Sequence, residues 1–163
     1  MSFVQLIEYE DAYQQGVIDL ILTIQTQEFD IPVTIKDQPD LENIPDFYQQ
    51  KAGNFWVALV DKQVVGSIAL IDIGNGQSAL RKMFVAKAYR GKDKGIAQAL
   101  MDTVMDWCRV KNISEIYLGT VSILIAAQRF YTRNGFAEIA KEDLPKAFPL
   151  MVVDTHFFSI KLN

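Results

Sequence analysis

A chain of 163 residues, 50% of them apolar and 22% charged, is long enough for one domain with a sizeable core and too apolar to stay disordered. Its 16 basic and 20 acidic residues leave a net charge of −4, which argues against nucleic acid as a partner, because a duplex needs a broad basic face. One cysteine excludes an internal disulfide, and one histidine beside it cannot build a zinc site of the ordinary kind.

The first residues lack a basic leader followed by an apolar run, and nothing later approaches about 18 uninterrupted apolar residues. The expectation is a cytoplasmic protein without membrane association, in which Cys108 is a reduced thiol on a packed helix face.

In chain order, Val4 to Tyr9 reads as a strand and Tyr13 to Gln27 as a helix that turns Val17, Ile18, Ile21, Leu22 and Ile24 inward. Phe29 to Pro39 carries two prolines and no helical period, hence a loop. Asp40 is expected to cap a short helix reaching Gln50, ended by Gly53. Asn54 to Val60 and Val64 to Ile73 form a hairpin about Asp61-Lys62-Gln63, and Gly74-Asn75-Gly76 turns the chain into Gln77 to Val85.

A helix begins at Ile96 with Ala97, Leu100, Met101, Val104, Met105, Trp107 and Cys108 on one face. Glu115 to Thr120 follows as a strand, parallel to Gln77–Val85 because a whole helix separates the two, with a right-handed crossover. Ile125 to Asn134 is a second helix, stopped by Gly135. Phe136 to Lys141 and Met151 to Lys161 complete a mixed sheet in a single α/β domain over residues 1–163.

The turn Tyr89-Arg90-Gly91-Lys92-Asp93-Lys94-Gly95 leads from a strand into the helix. Between Arg81 and Lys94 lie six basic residues and one acid, a local +5, while the rest of the chain has 10 bases against 19 acids. A helix N-terminus offers unpaired N–H groups and a favourable dipole, so this is where an anion would bind. The competing reading is a solvated turn kept soluble by its lysines.

Three segments, in order, resemble the GCN5-related N-acetyltransferase (GNAT) superfamily: the strand end Met83-Phe84-Val85, the loop and helix start Arg90-Gly91-Lys92-Asp93-Lys94-Gly95-Ile96-Ala97, and Ala127-Gln128-Arg129-Phe130-Tyr131-Thr132-Arg133-Asn134-Gly135-Phe136. The likeness covers about residues 53 to 141. It implies a mostly antiparallel mixed sheet splayed between its fourth and fifth strands with helices on both faces, and acetyl-CoA as cosubstrate without a metal. It also implies direct acetyl transfer to a primary amine of a small molecule or of a protein or peptide, with a homodimer allowed.

By the resemblance, amides from Lys92 to Ala97 hold the pyrophosphate with Arg90, Lys92 or Lys94 adding charge. The strand around Met83 and Val85 pairs with pantetheine, an N–H near Phe84 or Val85 stabilises the carbonyl oxygen, and Tyr131 protonates the leaving thiolate. The sequence departs from the family where an acid often stands, at Ala79, and where an asparagine often stands, at Leu124. Lys92 falls where Gln or Arg is expected, so either Lys92 or Arg90 fills that role.

With no acid at Ala79, candidates for a base are Asp72, Glu28, Asp30, Asp37 and His156, none at a diagnostic spacing. Phe29, Trp56, Phe148 and Phe158 are candidate walls of an acceptor site. A non-catalytic acyl-CoA sensor or assembly module with the same fold is the alternative, and Tyr131 weighs against it because a binder needs no acid. No Gly-Lys-Ser/Thr triplet supports a nucleotide-binding P-loop.

Overall fold

A computed structural model describes residues 3–162. Strands β1 (Val4–Glu8), β2 (Asn54–Val60), β3 (Gln63–Gly74), β4 (Gln77–Val85), β5 (Glu115–Thr120), β6 (Ala137–Ile139) and β7 (His156–Lys161) form one sheet in the order β1-β2-β3-β4-β5-β7-β6. All neighbours are antiparallel except β4 and β5.

Strand alternation assigns the two faces. Trp56, Ala58 and Val60 of β2 meet α3 (Ile96–Lys111) through Leu100, Met101, Val104 and Cys108, together with Tyr131 of α4 (Ile125–Arg133). Phe55, Val57 and Leu59 face the other way, onto α1 (Gln14–Leu22) and α2 (Ile44–Tyr48) through Val17, Ile21, Ile44 and Tyr48. Leu100 and Met101 are fully buried, each contributing about 1.5–3 kcal/mol. With both faces covered, every residue of β2 is buried.

The turns follow their local chemistry. Asp61 and Lys62 both take positive φ (49° and 67°), as a two-residue hairpin with right-twisted strands requires. Gly135, at φ 93°, lies just past α4 where a Cβ would be strained. Cys108 is enclosed, and burial pushes its thiol up to about 12, which leaves it unreactive.

Three expectations need correction. Asp40 does not cap a helix: it lies within a 3-10 turn (Pro39–Glu42), is buried, and accepts a 2.5 Å hydrogen bond from the Tyr48 hydroxyl. The residue before α2 is Asn43, and α2 stops at Tyr48. The helix expected to Gln27 changes character, α1 ending at Leu22 and continuing as a π-helical stretch, Thr23–Glu28. The last strand begins at His156 rather than Met151. Although Val152 and Val153 favour strands, both are exposed, and Asp154 N–H closes a turn onto the Met151 carbonyl.

Candidate active site

Strands β4 and β5 pair only at Gln77–Glu115, Ser78–Ile116 and Ala79–Tyr117. Beyond Ala79 they separate, while β5 stays paired with β7 along its whole length, Glu115 to Thr120. The carboxyl ends of two parallel strands therefore open onto a cleft, where ligands bind in α/β sheets.

A bulge shapes the β4 side of that cleft. Ala69 opposes Arg81 and Ser67 opposes Phe84, so Lys82 and Met83 together face Ile68. Lys82 takes φ 55°, and its carbonyl accepts a 2.6 Å bond from the Ser67 hydroxyl. Bulges of this kind re-aim side chains. Past it, Ala86 N–H donates to Val65 at 2.8 Å, so alternation turns the Val85 amide, and two residues earlier that of Met83, toward the gap. By the same alternation the Phe84 amide points into the sheet, leaving Val85 as the donor that faces the cleft.

The glycine-containing turn ends at Gly95, which occupies the N-cap of α3 at φ 67° with no side-chain cap. Within it, the Lys94 and Gly95 amides both donate to the Gly91 carbonyl, at 3.1 and 3.2 Å. The open donors are thus those of the first helical turn, Ile96, Ala97 and Gln98. Of the expected span from Lys92 to Ala97, Lys94 and Gly95 are used internally.

Arg90 is also committed elsewhere. Its guanidinium forms a two-point ion pair with Glu28, with Nη2 2.8 Å from Oε1, and lies 6.0 Å over the Phe29 ring. Its Nε donates to the Val85 carbonyl at 2.8 Å. Arg90 therefore ties the π-helical end of the first helix to the strand edge. Lys92 and Lys94 are exposed and make no ion pair among the described residues.

A cavity of about 610 Å³ runs from this turn along β4, lined by Met83, Phe84, Val85, Arg90, Gly91, Lys92, Gly95 and Ala97, with Tyr131 at its inner end. Asp93, Lys94 and Ile96 do not line it. A second chamber, of about 460 Å³, lies beyond, and Phe29, Met83, Phe84, Leu124 and Tyr131 border both.

Tyr131 is 6% exposed and wedged against Phe130, Phe136 and Phe158. Its hydroxyl makes no hydrogen bond among the described residues. Burial, and secondarily the charge of Asp154, hold its phenol well above the ordinary range, so it keeps its proton.

Asp154, which sequence reading left inside a strand, is the acid of the second chamber. Its carboxylate sits against Gly119 at the end of β5. Burial raises it from 3.8 to about 6, with Arg81 and Lys82 pulling the other way. No spacing marks it, since it follows an unpaired valine pair in a loop whose course depends on β7.

The proposed bases have other work. Asp72 accepts from the Ala52 and Gly74 amides, at 3.1 and 2.8 Å, and Glu28 holds Arg90. Asp30 is exposed, His156 Nδ1 sits 2.9 Å from the Thr155 hydroxyl, and Asp37 lines the chamber while bonding Thr34. Ala79 is fully buried and packs with Phe148 and Phe157. Among the aromatic candidates, Phe29 and Phe148 line the chamber, whereas Trp56 packs edge-on against Trp107 and Phe158 supports Tyr131.

Comparison with known proteins matches this geometry. The model of the acetyltransferase (GNAT) family aligns with residues 18–136. The chain belongs to the GNAT family. A GNAT-family acetyltransferase from Staphylococcus aureus superposes with a TM-score of 0.95 at 44% identity, over 99% of this chain and 100% of that one. An acetyltransferase from Streptococcus agalactiae gives 0.93 at 28%, over 98% of each. The human N-acetylaspartate synthetase is 33% identical over 129 residues, 76% of this GNAT chain, which spans 42% of that relative's length.

Proposed function

We propose that this GNAT chain transfers the acetyl group of acetyl-CoA to the primary amine of a small molecule, by direct attack with both substrates bound. One observation carries the reading: β4 and β5 part after three paired residues, and Tyr131 lines both of the cavities beside the gap. The name of the human relative supports a small-molecule acceptor over a protein one.

The residues present fit the cosubstrate. Three open amides, Ile96 to Gln98, with Lys92 and Lys94 beside them, suit a pyrophosphate. The edge of β4 at Met83 and Val85 offers backbone groups to the amides of a pantetheine arm. The Val85 N–H would meet charge developing on the thioester oxygen, a kind of donor whose loss elsewhere costs about 3–4 kcal/mol.

In the reaction the amine nitrogen forms a bond to the thioester carbon and the carbon–sulfur bond breaks. Asp154 takes the proton that the amine loses, and Tyr131 gives one to the sulfur. The two steps assist each other: protonation of Asp154 removes a negative charge that holds the Tyr131 proton in place. Asp154 thus supplies the carboxylate missing at Ala79, which favours an enzyme over a passive acyl-CoA binder.

Incubation with acetyl-CoA and a panel of small amines, followed by titration of released thiol, tests the reading. Thiol release that depends on the amine and vanishes in Asp154→Asn supports it. Tight acetyl-CoA binding with no release for any amine leaves only the binder.

A further inference from the structure

Resting on that reading, the second chamber indicates which amine enters it. Arg81 and Lys82 are consecutive on β4 and would normally point to opposite faces. The bulge, with Lys82 at φ 55°, brings both side chains into the same chamber. Two adjacent half-buried or buried cations repel each other and lose hydration, so each needs a partner.

Lys82 has its partners within the protein. Its ammonium lies 2.6 Å from Gln38 Oε1 and 3.5 Å from Asp40, whose carboxylate also accepts from Tyr48. Arg81 has no such contact partner: the one side-chain hydrogen bond it makes among the described residues is to the Met151 thioether, at 3.3 Å, and no carboxylate lies within 4.0 Å of it, Asp154 acting on it only from farther off. A half-buried guanidinium keeps five donors in a rigid fork that fits a carboxylate at two points.

Asp154 bounds the same chamber and lies close enough to feel both cations. The remaining acid of the lining, Asp37, is exposed and tied to Thr34. The chamber therefore presents a cation whose donors meet no carboxylate, an anion at the end of β5, and apolar walls from Phe29, Ile31 and Phe148. We infer that the acceptor is an amine that also carries a carboxylate, of the α-amino acid class, with Arg81 holding the carboxylate and Asp154 facing the amine.

Steady-state kinetics with acetyl-CoA test this on α-amino acids against their carboxamides, simple alkylamines and a polyamine. The expected result is that a carboxylate-bearing member leads its carboxamide by about tenfold or more in kcat/KM, the value of a charge-assisted hydrogen-bond pair. In Arg81→Gln that preference collapses through KM, and Arg81→Lys restores part of it. Thermal unfolding and calorimetric titration with acetyl-CoA establish that the variants fold and bind cosubstrate. Equal or better use of amines lacking a carboxylate, or an unchanged preference in Arg81→Gln, overturns the inference and leaves acetyl transfer standing. No thiol release with any amine overturns both.

Discussion

Gly119 at the end of β5 leaves the space that the Asp154 carboxylate occupies: a Cβ on Gly119 would stand 2.5 Å from Asp154 Oδ2 and 3.1 Å from the Phe157 ring. The backbone there is not left-handed, so alanine is allowed by conformation and excluded by space. Gly119→Ala is expected to push the carboxylate out of place and lower kcat/KM by about tenfold or more, since small misplacements at a reacting centre are costly. Thiol-release kinetics beside a circular-dichroism melt check this; wild-type kinetics in a folded variant would remove Asp154 from the reaction.

The same carboxylate sets a pH dependence. As a base it works ionised, so kcat/KM is expected to rise through about pH 6. Stability runs the other way. In the folded chain Asp154 binds its proton up to about pH 6, against 3.8 for its ordinary value, so its contribution falls as pH climbs between those values. Above them the ionised group costs on the order of 1–2 kcal/mol, discounted for the solvent that reaches it. Asp154→Asn should therefore abolish the rise in rate and lift Tm at pH 7.5 by a few degrees, with little effect near pH 4. A lower Tm for the variant at pH 7.5 would contradict this account.

Tyr131 touches the chemistry through one oxygen, while its ring packs on Phe130, Phe136 and Phe158. Tyr131→Phe keeps that packing and removes the proton. The expected outcome is a fall in kcat of about 10²-fold or more with acetyl-CoA affinity nearly intact, as for a group that acts only in the transition state. Stopped assays and calorimetry separate the two quantities.

At the turn before α3 the basic residues divide by role. Lys92→Glu with Lys94→Glu should weaken CoA binding in a salt-dependent manner, because both ammoniums stand in solvent beside the open amides. Arg90→Gln frees Glu28 and unpins the π-helical end, so it should lower Tm as well as affinity. Titrations at two ionic strengths distinguish these. Equal CoA affinity in the double lysine variant would reduce the turn to a solubilising edge.

Much of the fold is legible along the chain because its signals are local. The periodicity of Leu100, Met101, Val104 and Cys108 gives α3, turn residues Asp61-Lys62 and Gly74-Asn75-Gly76 give the antiparallel strands, and a helix between β4 and β5 makes them parallel. Tyr131 and the Gly95 bend stand out as short segments whose residue types suit a motif. Where long-range contacts compete, local reading fails: Asp40 has the form of a helix cap, yet Lys82, distant in sequence, claims its carboxylate together with Tyr48.

The sequence by itself determined most of the elements, their order and the family resemblance, since hydrophobic period, turn chemistry and short motifs act over a few residues. Only the tertiary structure decided what each charge is for. It spent Arg90 on Glu28, left Arg81 without a carboxylate within 4.0 Å among the described residues, and brought Asp154 from a loop to the end of β5. The reason is that a charge acts over a few ångströms of space rather than of chain, and those distances exist only once β4 and β5 have separated.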